Sequence, residues 1–178
     1  MTKKTTAQTT VAYRHSTGKN GTSKVSLQPA IYEALVENFA DDESRAREYI
    51  KELALQGREL KVKDLSLYVQ SKALLSLMPK DIQAKVSLNI TENGRVPVRY
   101  KNTIDKKMTK LTTLKVLHDI LNVVYDGGSQ EIHTKFAIEA HMAKKANAAN
   151  LGDEDKKTCD ISHQVRERII SNLVVSLT

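Results

Sequence analysis

Hydrophobic and polar positions alternate in short stretches of this chain and recur at helical spacing in longer ones. Residues 23–28 alternate, with Val25 and Leu27 on one face and Lys24, Ser26 and Gln28 on the other, which predicts a short strand. Pro29 follows, where a first helical turn tolerates its missing N–H. Ile31, Leu35 and Phe39 recur every fourth residue and predict a helix to about Ala40. The polar run Asp41-Asp42-Glu43-Ser44 ends it and offers caps to a second helix, from about Arg45 to Gln56. Ala46, Tyr49, Ile50 and Leu53 form that helix's apolar stripe, and Gly57 is expected to stop it. A third helix over roughly 63–78 is apolar nearly all round, which predicts burial on more than one side before Pro79 ends it.

Further on, residues 85–90 and 95–101 alternate around Asn93-Gly94, the pattern of a tight hairpin. Val86, Leu88, Ile90, Val96, Val98 and Tyr100 would share its inner face, with Lys85, Arg95, Arg99 and Lys101 on the outer one. Pro97 lacks a donor and suits an edge strand. A long helix is expected over about 105–125, carrying Met108, Leu111, Leu114, Leu117, Leu121 and Val124, with Gly127-Gly128 as its stop. Two more helices are expected near 130–147 and 160–176. Residues 1–22 are rich in Thr, Lys, Gly and Asn, and read as a flexible basic arm. The fold class is therefore mainly α with short β, an α+β chain. It divides into the arm, a strand-helix-helix module over 23–57, and a helical extension over 58–178 that includes the hairpin 85–101. KVSL occurs at 24–27 and again at 85–88. One copy runs into a helix and the other into a turn, so the match is read as shared strand composition rather than a repeat.

Charge sharpens this picture. The 178 residues carry a formal net charge of +7. Residues 61–115 hold twelve basic and four acidic groups, whereas residues 25–60 hold four basic and eight acidic. Positive charge localised in this way points to a polyanion partner. Lys106, Lys107 and Lys110 follow just after the hairpin, and the patch reads either as a solvated outer face or as a second contact that grips a nucleic-acid backbone. Aromatic residues are 4% and tryptophan is absent, so the core must be mostly aliphatic. No apolar run approaches the roughly 20 residues that span a bilayer, the first residues lack a secretory pattern, and the one cysteine, Cys159, has no partner for a disulfide. A cytoplasmic location is expected.

The TSKVSLQ strand, Pro29 at the helix start, Leu35 and Phe39, the polar turn ending at Ser44, and the Tyr49-Ile50-Leu53 stripe follow in a specific order. In that order residues 22–56 resemble the ribbon-helix-helix family of DNA-binding proteins. The resemblance implies a homodimer whose two strands pair into an antiparallel ribbon in the major groove. It assigns base contacts to Lys24, Ser26 and Gln28, and phosphate contacts at the start of the second helix to Ser44, Arg45 and Arg47. Side-chain chemistry agrees: Lys suits guanine, Gln adenine and Ser either, and helix-start amides suit phosphate. The family often has glycine between the helices, where this chain has Ala40-Asp41-Asp42-Glu43-Ser44.

Catalytic chemistry leaves little trace. The histidines 118, 133, 141 and 163 are scattered with no metal-ligand pattern, Asp153-Glu154-Asp155 reads as a solvated loop, and Gly127-Gly128 lacks a phosphate-loop context. No enzyme activity, metal or cofactor is expected. The expected function is sequence-specific binding of double-stranded DNA by a dimeric transcriptional regulator, plasmid- or phage-encoded and compatible with control of conjugative transfer or partition. The alternatives are a nucleic-acid accessory protein of a relaxosome or partition complex, and a protein-binding scaffold with no DNA role. The C-terminal helices would extend the dimer interface or receive a further protein.

Overall fold

A computed structural model of the chain describes residues 9–14, 21–86, 94–102, 106–150 and 161–177. The elements run β1 (Thr9–Arg14), β2 (Thr22–Leu27), α1 (Pro29–Asn38), α2 (Glu43–Glu59), α3 (Leu65–Ser76), α4 (Lys80–Lys85), β3 (Arg95–Lys101), β4 (Met108–Leu114), α5 (Lys115–Val124), α6 (Gly128–Asn150) and α7 (Ile161–Leu177). The α+β expectation holds: helices dominate and two small antiparallel hairpins, β1–β2 and β3–β4, accompany them.

Several boundaries move, each for a physical reason. Part of the expected flexible arm is β1, because Val11 and Tyr13 alternate with Thr10 and Ala12 and both are buried beside Val25. The first half of the expected helix over 105–125 is β4. Met108, Leu111 and Leu114 mimic helical spacing, but Thr109, Thr112 and Thr113 are β-branched and favour a pleated surface. β3 pairs with β4; Lys85 ends α4, and residues 87–93, with the rest of the expected first arm and the Asn93 turn, lie outside the described residues. Gly57 does not stop its helix. It lies inside α2, where an added Cβ would sit 2.6 Å from Leu65 and 2.8 Å from Tyr68, so it lets α3 pack closely.

The order β-β-α-α-α occurs twice, with α4 as a link between the two units. The agreement extends to single hydrogen bonds. In the first unit, the Ser26 amide donates to the Ser66 hydroxyl at 3.1 Å and the Gln70 side-chain amide donates to the Ser26 carbonyl at 3.0 Å. In the second, the Thr112 amide donates to the Ser162 hydroxyl at 3.3 Å and the Arg166 guanidinium donates to the Thr112 carbonyl. Val69, Ala73 and Leu74 of α3 are buried, as are Val165, Ile169 and Ile170 of α7. Thus the chain is internally duplicated, which the sequence reading did not expect. The register is not that of the two KVSL strings. Lys24-Val25-Ser26 in β2 matches Lys110-Leu111-Thr112 in β4.

Both units feed one aliphatic core, in which Ile31, Leu35 and Ile50 join Leu117, Leu121 and Ile170. Each such side chain contributes about 1.5–3 kcal/mol on leaving water. The units meet through reciprocal helix contacts: α1 packs on α7, and α5 packs on α3. Glu167 of α7 fastens this joint by accepting the Ala30 amide at the start of α1, at 2.9 Å.

Candidate nucleic-acid interface

The β3–β4 hairpin gathers a cluster of exposed positive charge. On β3, Val98 and Tyr100 point into the core, so Arg95, Arg99 and Lys101 must point out. On β4, Leu111 and Thr113 point in, and Met108 and Lys110 point out. The register sets Arg99 directly opposite Lys110, and Lys101 opposite Met108, which is 68% exposed. Lys106 and Lys107 are exposed just before β4 begins. Among the described residues no carboxylate pairs with Arg95, Arg99, Lys101 or Lys110. Like charges directly across a ladder repel and cost stability.

The hairpin is held rigidly from below. Gln130 of α6 donates to the Arg99 carbonyl. The Tyr100 hydroxyl meets His141 Nε2 at 2.6 Å. Arg166, only 7% exposed, grips β4 at Thr112 and adds positive charge beneath the sheet. Lys85 does not join the face; it is exposed at the end of α4.

The three expected base readers separate. Lys24 is exposed on the outer face of β1–β2, opposite Ala12. Ser26 is half-buried, with its backbone tied to α3. Gln28 is 2% exposed at the N-cap position of α1, so it cannot reach a base edge. The expected intermolecular ribbon is also corrected. A strand residue's N–H and C=O point to the same edge, and those of Ser26 point to Ser66 and Gln70. With β1 on its other edge, β2 has no open edge at Ser26 for a second chain.

The phosphate site expected at the second helix is already filled by acids. Asp42 caps α2 and its carboxylate accepts the Arg45 amide at 3.1 Å. Arg47 is paired with Glu43 at 2.7 Å, and Glu43 also accepts the Tyr32 hydroxyl at 2.7 Å. These bonds, Tyr32 first and then Arg47, hold the Glu43 carboxyl below its ordinary range. Ser44 is exposed beside them. A phosphate here would face two carboxylates and an arginine already engaged.

Elsewhere the histidines serve structure. His133 is fully buried, and its Nδ1–H donates to the Ser129 carbonyl at 2.8 Å. His118 lies against Asp119 and Asn122. Among the described residues no cluster of three His, Cys, Asp or Glu side chains is arranged to hold a metal, and no helix is long and apolar enough to cross a membrane. No family model matches the chain, and no curated protein or solved structure matches it.

Proposed function

We propose that this protein binds double-stranded DNA, holding the phosphate backbone on the outer face of β3–β4. The observation that carries this reading is the uncompensated pairing of Arg99 with Lys110, flanked by Arg95 and Lys101. A polyanion turns that repulsion into attraction. Alternate residues on a strand lie about 7 Å apart, and each DNA strand carries a phosphate about every 3.4 Å of its axis. Arg99 and Lys101 can therefore reach separate phosphates of one DNA strand lying along β3. A two-stranded ribbon also has the dimensions that the major groove admits.

Backbone contacts of this kind position a protein and give affinity; base contacts give sequence preference. Of the three expected base readers, Lys24 is the one that is fully exposed, on the first hairpin. The setting we infer is regulation of transcription, with plasmid- or phage-borne control of transfer or partition as its natural range. An accessory role in a relaxosome or partition complex would use the same grip. Transcript levels after deletion of the gene separate the two.

The binding test is fluorescence anisotropy with a random-sequence duplex of about 30 base pairs at salt between about 50 and 200 mM. Affinity should fall steeply with salt. Replacing Arg99, Lys101 and Lys110 by Ala should flatten the dependence by about one unit for each phosphate no longer neutralised. No binding at low salt, or a triple variant that binds as wild type does, would contradict the reading.

A further inference from the structure

The duplication places a second hairpin in the position that β3–β4 occupies. Val11 and Tyr13 of β1 are buried as Val98 and Tyr100 of β3 are. Each tyrosine hydroxyl meets a basic group from its unit's second helix: Tyr13 accepts from Arg58 Nε at 2.6 Å, and Tyr100 lies 2.6 Å from His141 Nε2. Each inner β2 or β4 strand is held by a serine hydroxyl and a long donor side chain from the third helix. On the outer face, Lys24 stands where Lys110 stands, and Ala12 stands where Arg99 does. Lys51 lies beside this hairpin, bordering a shallow groove with Ala12, Thr22 and Leu55. The first hairpin is thus a weaker edition of the same basic surface.

The joint between the units is reciprocal. The first helix of each unit packs on the third helix of the other, as α1 on α7 and α5 on α3. That reciprocity is the mark of an isologous, two-fold interface, here within one polypeptide. Proteins that bind duplex DNA through a two-fold relation place equivalent surfaces on equivalent stretches of the two strands.

We infer that one chain supplies both halves of such an arrangement: β1–β2 is a second, weaker contact on the same duplex, and no partner subunit is needed. This rests on the DNA-binding reading above. Lys24 and Lys51 are the contacts on the weak side, and the missing cation at Ala12 accounts for the asymmetry. The bound unit is one chain per duplex.

The test uses the full chain and a fluorescent random-sequence duplex of about 30 base pairs. Sedimentation with the duplex in excess, where each duplex meets a single binding unit, should give one chain per occupied duplex. The variant A12R rebuilds the Arg99–Lys110 arrangement in the first hairpin at an exposed position. It should tighten binding roughly three- to tenfold and steepen the salt dependence by about one unit. Lys24→Ala should flatten it by about one unit. Thermal unfolding of each variant confirms that the fold is intact. Should A12R and Lys24→Ala leave the salt dependence unchanged while Arg99→Ala lowers it, the first hairpin is off the duplex and this inference falls alone. Two chains per duplex would overturn it as well. If the wild type binds no duplex, this inference and the proposed function fall together.

Discussion

The Ser26 amide donates to the Ser66 hydroxyl, and this bond closes the edge of β2 that faces away from β1. Gln70 completes the closure by donating to the Ser26 carbonyl. An open strand edge invites pairing with another chain, and here two side chains of α3 prevent it. Replacing Gln70 by Ala leaves a part-buried carbonyl without its donor and should cost about 1–3 kcal/mol. Arg166→Gln should cost far less than Arg166→Ala, because glutamine already does this work at position 70. Urea unfolding of the three variants measures the ranking. Equal losses for the two Arg166 variants would show that the guanidinium does something at Thr112 that an amide cannot.

His133 should make the fold acid-sensitive. Its Nδ1–H is committed to the Ser129 carbonyl, so a second proton must sit on buried Nε2, which has no acceptor among the described residues. Burial, with smaller contributions from His118 and Arg166, lowers its pKa to about 4. The unfolded chain binds that proton near the ordinary value of 6.5, so it holds more protons than the fold between the two values. Stability from this group is complete above pH 6.5 and is lost as pH falls toward 4, by up to about 3 kcal/mol. His133→Asn retains a donor for Ser129 and should flatten unfolding free energy over that window. A wild-type profile without the drop would contradict this assignment.

Glu167 acts in the opposite sense. Burial raises its pKa, although the Ala30 amide works against the shift. The fold therefore holds its proton to higher pH than the unfolded chain does. Stability from this group is fully present below the ordinary carboxyl value of 4.5 and declines as pH rises through the folded one. Glu167→Gln keeps an acceptor for Ala30 and removes the titration. It should be at least as stable as wild type at pH 7, with the decline gone. Lower stability at pH 7 would mean that the charged carboxylate is what holds α1 to α7.

Much of the helical framework is legible in the sequence, because it rests on strong local signals. Pro29 opens α1 as expected, and Ile31, Leu35 and Phe39 line it. Strand partners are less legible, since pairing is decided by contacts far apart in the chain. The pairing of β3 with β4 joins residues on either side of 103–105, and the alternation around Asn93-Gly94 gives no hint of it. Leucines three apart in β4 imitate a helix, and the threonines between them are the signal that corrects it. Gln28 misled because strand alternation ends at Leu27; both are buried as the chain turns into α1. The duplication is carried by burial and hydrogen bonding more than by letters. Its best textual trace is Val11-Ala12-Tyr13-Arg14 against Val98-Arg99-Tyr100-Lys101. Of the candidate site, Arg95, Arg99 and Lys101 were readable from alternation; that Lys110 faces Arg99 required the register.

If the repulsion between Arg99 and Lys110 is retained for a polyanion, Lys110→Glu should separate stability from binding. The substitution turns a like-charge pair into a cross-strand ion pair at exposed positions. Unfolding free energy and duplex affinity are measured on the same protein. The two should move apart: stability rises by about 0.2–1 kcal/mol, while affinity for a random-sequence duplex falls at least about tenfold and the salt dependence flattens by about one unit or more. A variant that is more stable and binds duplex DNA as well as wild type does would contradict this role for the pair.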